Sequence, residues 1–161
     1  SLTGHLVLST FHTNDAVSAI SRLVHMGIER YLLASTVNLI VAQRLVRRIC
    51  ENCKEPIELP AETLRRLRIG SERAAGATFR RGQGCPACTD SGYSGRLPIF
   101  EFLMVDADIS ERIVAGQSES EIKAAVRAKG YGDLLESGAR AVLEGLTTAE
   151  EVLRVATTTE G

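Results

Sequence analysis

The chain has 161 residues, 44% of them apolar and 24% charged, the balance of a core-forming globular protein and not of a disordered one. Its 19 Lys and Arg against 20 Asp and Glu leave a net charge of −1, without the basic surplus of a dedicated nucleic-acid or anionic-membrane binder. No apolar run reaches the roughly 20 residues that span a bilayer, and no charged-then-apolar leader is apparent, so we expect a cytoplasmic setting in which the four cysteines stay reduced. The opening Ser1-Leu-Thr-Gly-His5 lacks an initiator Met and runs straight into Leu6-Val-Leu8, from which we expect a piece of a longer protein.

Three zones of composition follow one another. In residues 1–49, the short apolar run His5–Phe11, bounded by Gly4 and a polar turn, predicts a buried strand. Asn14 is expected to cap a helix, along which Ala16, Ile20, Leu23 and Val24 recur at helical spacing, and Gly27 closes it. Tyr31–Ser35 reads as helical. From Val37, the β-branched Val37, Ile40, Val41 and Val46 favour a second strand, with Gln43, Arg44, Arg47 and Arg48 towards its end. Strand, helix, strand in that order predicts an α/β domain with a parallel sheet.

Residues 50–96 are rich in Arg, Gly, Pro and Glu, and their apolar residues are few: Ile57, Leu59, Leu64, Leu67, Ile69 and Phe79. So thin a core predicts that something besides burial staples the zone. Residues 97–161 open with an apolar strand, Leu97–Val105, and continue as a small helical module. Ser118-x-x-Glu121 and Thr148-x-x-Glu151 are capping-box patterns, and Gly116, Gly130 and Gly145 fall where helices should end. The tail Thr157-Thr-Thr159 is the only low-complexity piece.

The staple is Cys50-Glu-Asn-Cys53 with Cys85-Pro-Ala-Cys88. Two residues between thiols let both sulfurs of a pair reach one ion about 2.3 Å away, and two such pairs complete a tetrahedron. Gly82, Gly84, Gly92 and Pro86 suit the tight backbone that such a knuckle needs. Zinc in small peptides contributes about 10–16 kcal/mol of folding free energy, ample for a zone so poor in apolar residues. Because Cys50, Cys53, Cys85 and Cys88 leave no open position, the expected zinc is structural. A redox role for either Cys-x-x-Cys is disfavoured, since no thioredoxin-like strand and helix accompany them.

A phosphate-binding loop needs Gly-x-x-x-x-Gly-Lys-Ser/Thr. The chain has three lysines, Lys54, Lys123 and Lys129, and none follows a glycine, so the chain by itself is not expected to hydrolyse ATP. Phe102-Leu-Met-Val-Asp106 looks like an apolar strand ending in a metal-holding Asp. Without its partner loop, Asp106 is better read as the cap of the next helix.

His5 and His12 flank the first predicted strand. Seven positions is odd parity, so an extended strand would turn them to opposite faces, and spacing alone makes His12 a hydrogen-bonded loop histidine. At these residues the sequence resembles a known family. Thr3-Gly-His-Leu-Val-Leu-Ser-Thr-Phe-His-Thr-Asn-Asp-Ala16 closely resembles the histidine box of the hexameric ATPases that drive type II secretion and type IV pilus assembly. The likeness runs on through Met26–Glu29, Val37–Cys50, the four cysteines, Gly92–Arg96, Ile99–Glu101 and Gly145–Val152. The cysteine insertion is similar to that of the assembly and secretion motors, and unlike the retraction motors, which lack it.

The resemblance implies the C-terminal portion of a RecA-like ATPase. It places part of a RecA-like parallel sheet at residues 1–49, a tetracysteine zinc-knuckle subdomain at 50–96 and a small α-helical subdomain at 97–161. The phosphate loop and acidic motifs would precede Ser1. His12 and His5 would be accessory residues near the active site, with Phe11 where the family commonly has Leu. Arg44 and Arg47 fall at the end of the ATPase core, where contact with nucleotide, contact with a neighbouring subunit and a solvated strand end all stay open. The implied parent is a homo-hexamer that uses ATP and Mg²⁺ and acts on an inner-membrane platform protein, peripherally attached to that membrane through partners. The alternative is a stand-alone structural-zinc module binding protein or RNA through Arg65, Arg66, Arg68, Arg80 and Arg81. Glu62, Glu72 and Asp90 among them, and the scarcity of aromatics for base stacking, weigh against nucleic acid.

Overall fold

The first helix begins one residue later than the sequence suggests. Asp15, not Asn14, caps α1 (Ala16–His25), because only Asp15 has a serine at the third helical position. The Asp15 carboxylate accepts the Ser18 N–H at 2.7 Å, and the Ser18 hydroxyl lies 3.3 Å from the Asp15 N–H that donates to it. At the other end, Gly27 takes φ +89°, and Ile28 and Gly27 donate to the carbonyls of Leu23 and Val24. That paired closure needs a left-handed residue, which glycine supplies at little cost. This computed structural model describes residues 4–157, so Thr3 of the histidine segment and Thr158–Thr159 of the tail lie outside the described residues.

The chain divides into two compact units that interleave along the sequence. One comprises residues 1–42 and 101–133, the other 43–100 and 134–161. In the first, α1 is followed by α2 (Arg30–Thr36), and after the strands come α5 (Ala107–Val114) and α6 (Glu119–Ala128). Helix α2 packs on α5, and α1 and α5 pack on α6. Ala16, Val17, Ile20, Leu33, Leu103, Ile109, Ile113, Ile122 and Val126 meet in one apolar core. Asp106 and Ser118 cap α5 and α6 as expected. Glu101, on the same strand face as Leu103, is buried and accepts the Ala16 N–H at 3.2 Å. Lys123 reaches Asp15 at 2.7 Å and, with Ser18, holds that carboxyl below its usual range although burial alone would raise it.

The second unit contains β2 (Lys54–Pro56), α3 (Ala61–Arg66), α4 (Ser71–Ala75), β3 (Arg80–Gly82), α7 (Leu134–Leu143) and α8 (Ala149–Thr157). Leu67, Ile69 and Phe79 pack with Val46, Ile99, Leu134, Val142, Val152 and Leu153. The zone that looked too poor to fold by burial borrows its core from the strands and from α7 and α8. Contact between α7 and α8 is close enough that a Cβ on Gly138 would run into Val152.

Two strands cross the division: β1 (Leu39–Ile49) pairs with β4 (Tyr93–Met104), and β2 pairs with β3. Both pairings are antiparallel. In the second, Lys54 lies opposite Gly82 and Pro56 opposite Arg80. In the first, Val105 donates to Asn38 at one end and Cys50 to Gly92 at the other, which sets the start of one strand against the end of its partner. The expected parallel sheet is not seen among the described residues, whose two sheets are both antiparallel pairs. Residues 5–13 form no strand, and Leu6, Val7 and Leu8 are 81%, 65% and 88% exposed. Composition gave that run its strand character, but a strand exists only with a ladder partner, and β1 takes its partner from β4. No helix among the described residues is long and apolar enough to cross a membrane.

Candidate metal centre

Cys50 directly follows β1, and one 3-10 turn, Glu51–Cys53, brings the second sulfur round. Cys85 likewise precedes a 3-10 turn, Pro86–Cys88. The backbones close alike, Cys53 N–H to Cys50 O at 3.3 Å and Cys88 N–H to Cys85 O at 3.1 Å. The sulfurs of Cys85 and Cys88 are 3.7 Å apart, those of Cys53 and Cys88 3.9 Å, and those of Cys50 and Cys85 4.0 Å. All four lie within 4.8 Å of one another. A tetrahedral ion with sulfurs about 2.3 Å away sets them about 3.8 Å apart, so the four thiols could hold one such ion. The spacings are far beyond the roughly 2.05 Å of a disulfide, and all four cysteines are free.

The sulfurs differ in their surroundings. Cys88 is buried, yet its Sγ accepts backbone N–H groups from Cys85 at 3.2 Å and Gly92 at 3.3 Å. Burial alone would raise this thiol, but those donors favour the thiolate and bring it down to about 6. Burial pushes Cys53 up to about 12 against one backbone donor, Gly84, with the neighbouring sulfurs adding to the rise. These four cysteines are the only group of three or more His, Cys, Asp or Glu placed for a metal among the described residues, and His5 and His12 are not part of it. Both histidines are exposed. The His12 carbonyl accepts from Arg22 Nη1 at 2.8 Å, and the same guanidinium lies 5.5 Å from the centre of the Phe11 ring.

Arg47 makes an ion pair that the sequence did not suggest. Its guanidinium donates to Glu151 Oε1 at 2.6 Å and its N–H to Oε2 at 3.0 Å, and it lies 4.1 Å from the centre of the Tyr93 ring. Glu151 is almost fully buried and also takes two bonds from Arg154. Burial would raise its carboxyl; the bonds from Arg47 and Arg154 outweigh that and hold it at about 2. Thr148 caps α8 by accepting the Glu151 N–H, and its hydroxyl meets the Tyr93 hydroxyl at 2.9 Å. The predicted capping box is thus half made, since Glu151 turns its carboxylate to the arginines. Of the proposed basic patch, Arg65 pairs with Glu62 and Arg81 with Glu55.

The fold and site define a mixed helix-and-strand protein with small antiparallel sheets and a closed tetracysteine cluster. The family model for Type II/IV secretion system protein matches residues 1–154. The chain is 48% identical over 152 residues to a type IV pilus assembly ATPase, PilB, of Thermus thermophilus, covering 94% of this chain and 17% of that protein. It is 47% identical over 155 residues to type II secretion system protein E of Pseudomonas aeruginosa, covering 96% and 30%. A second protein of P. aeruginosa, type II secretion system protein HxcR, is 45% identical over 155 residues, covering 96% and 29%. The chain therefore belongs to the type II/IV secretion system protein family, and it spans less than a third of the length of these relatives.

Proposed function

We propose that this chain is the C-terminal portion of a hexameric, RecA-like ATPase that powers type IV pilus assembly or type II protein secretion, and that its four cysteines bind one structural zinc. The observation that carries the reading is the 45–48% identity along nearly all of this chain to proteins named for those two machines. The sulfur spacings support the zinc, because a tetrahedral ion needs just such a set and four thiolates leave no place for water or substrate.

The chain contributes no phosphate loop, having no lysine after a glycine, so the binding of ATP and Mg²⁺ falls to the rest of the parent protein. His5 and His12 act there as accessory residues of the nucleotide site. The exposed Leu6–Leu8 run joins the parent's parallel sheet, where its apolar side chains would be covered. The parent works in the cytoplasm as a homo-hexamer on an inner-membrane platform protein, with zinc knuckle and helices as a C-terminal appendage to the motor.

Metal analysis of the purified chain is expected to give about one zinc per molecule, and its ATP turnover is expected at background. In the full-length parent, His12→Ala is expected to lower kcat with zinc content unchanged. Robust turnover by this chain alone, or full turnover by the parent variant, would overturn the division of labour.

A further inference from the structure

The cysteines are not held by their own turns alone. Gly92, four residues past Cys88, touches the frame of three of them. Its N–H donates to Cys88 Sγ at 3.3 Å. Its carbonyl accepts the Cys50 N–H at 3.0 Å. Its Cα lies against Gly82, which stands opposite Lys54 in the β2–β3 pair, next to Cys53. The two glycines meet backbone to backbone. A Cβ on Gly82 would overlap the Gly92 carbonyl, and a Cβ on Gly92 would come within 2.6 Å of the Gly82 oxygen. Gly92 also takes φ +75°, which turns its N–H towards the sulfur at a conformation that side chains disfavour.

Gly95 offers the internal contrast. It shares the left-handed backbone at φ +78°, but a Cβ there would meet nothing within 4 Å. The sequence alone shows three glycines of one sort, whereas the structure separates two that are packed from one that is only turned.

We infer that Gly82 and Gly92 are positioning residues of the metal centre: their contact docks the Cys50–Cys53 arm onto the Cys85–Cys88 arm, and the Gly92 N–H orients Cys88 Sγ towards the shared ion. The inference rests on the zinc reading above. Outer hydrogen bonds of this kind fix ligand direction, and losing them costs roughly 10–100-fold in metal affinity.

The test compares Gly82→Ala with Gly95→Ala in the whole chain. Zn²⁺ affinity is measured by chelator competition, and the cobalt-substituted protein reports ligand geometry through its visible spectrum. Gly82→Ala is expected to weaken Zn²⁺ by about tenfold or more and to distort the cobalt spectrum. Gly95→Ala should stay within about threefold of the parent chain, with an unchanged spectrum. A second measurement needs no variant: in cadmium-113-loaded wild-type chain, scalar coupling from metal to amide proton is expected at Gly92 and Cys85, across their N–H···S bonds. Equal affinities for the two variants, or no coupling at Gly92, would overturn the positioning role while the zinc reading stood. A wild-type chain that binds none of the three ions would overturn both. If Gly82→Ala does not fold, the cadmium coupling decides.

Discussion

Residues 5–13 and the cysteine knuckle were the two segments that the sequence marked as sites, one a pair of histidines flanking an apolar run, the other four cysteines in a zone poor in apolar residues. They end very differently. The knuckle closes because each Cys-x-x-Cys needs only one 3-10 turn to bring its sulfurs round, and the second pair lies against the first through Gly82 and Gly92. The histidine segment, expected to be a strand, forms none in this chain, and Leu6 and Leu8 stay more than 80% exposed. Chemistry carried by near-neighbour spacing completes itself within the chain, while chemistry carried by a strand waits on whatever pairs with it.

The sharpest way to break this contrast is to take the metal away. Cys85→Ser is expected to abolish zinc binding, and in zinc-finger peptides such an ion is worth about 10–16 kcal/mol. Here the loss should be local. Leu67, Ile69 and Phe79 share their core with Leu134, Val142 and Val152, so burial remains after the ion has gone. Chelation followed by hydrogen exchange should show the amides of Cys53, Cys88 and Gly92 deprotected first, with α7 and α8 still protected. Loss of all protection in the second unit at once would mean that the ion, and not the shared core, is its keystone.

A smaller effect sits in the same unit. Glu151 is buried between Arg47 and Arg154, and its carboxyl is held at about 2 against an ordinary 4.5. A folded value below the unfolded one means stability that is full above about pH 4.5 and is lost as pH falls from there towards 2. Glu151→Gln should therefore cost about 2 kcal/mol at pH 7, with both arginines half-exposed and able to find water. The penalty should shrink towards zero near pH 2. Urea denaturation of the two proteins at pH 7 and pH 3 checks both the size and the sign; a pH-independent difference would show that charge plays no part.

Glu151 also shows where sequence reading runs out. Thr148-x-x-Glu151 matched a capping box, and the cap is there, but the glutamate is drawn off by an arginine more than a hundred residues earlier. Cysteine spacing, helix ends at Gly27 and Gly116, and strands from Val37 and over Leu97–Val105, found at Leu39–Ile49 and Tyr93–Met104, were readable, because each depends on neighbours within a turn or two. What could not be read was pairing: β1 with β4 in antiparallel sense, and Arg47 with Glu151. Glu101 was within reach, since Ile99, Glu101 and Leu103 fall on one face of an alternating strand, and an acid among buried neighbours asks for a donor. That donor, the Ala16 N–H, lies 85 residues away.

Two substitutions in the first unit set the lower end of the scale. Asp15→Ala removes the acceptor of the Ser18 N–H and the partner of Lys123, and loss of such a cap costs about 1 kcal/mol. Amide exchange at Val17 and Ser18 should quicken while the knuckle is unaffected. Leu8→Ser should be nearly silent, within about 0.5 kcal/mol in urea denaturation of this chain, because a side chain 88% exposed gives up almost no buried area. The same change in the full-length parent is expected to cost several times as much, since there the segment is proposed to enter a sheet. Equal, small costs in both would remove the strand from residues 5–13 altogether. A large cost in this chain alone would mean that Leu8 already has a partner here, and the contrast between the segment and the knuckle would fall.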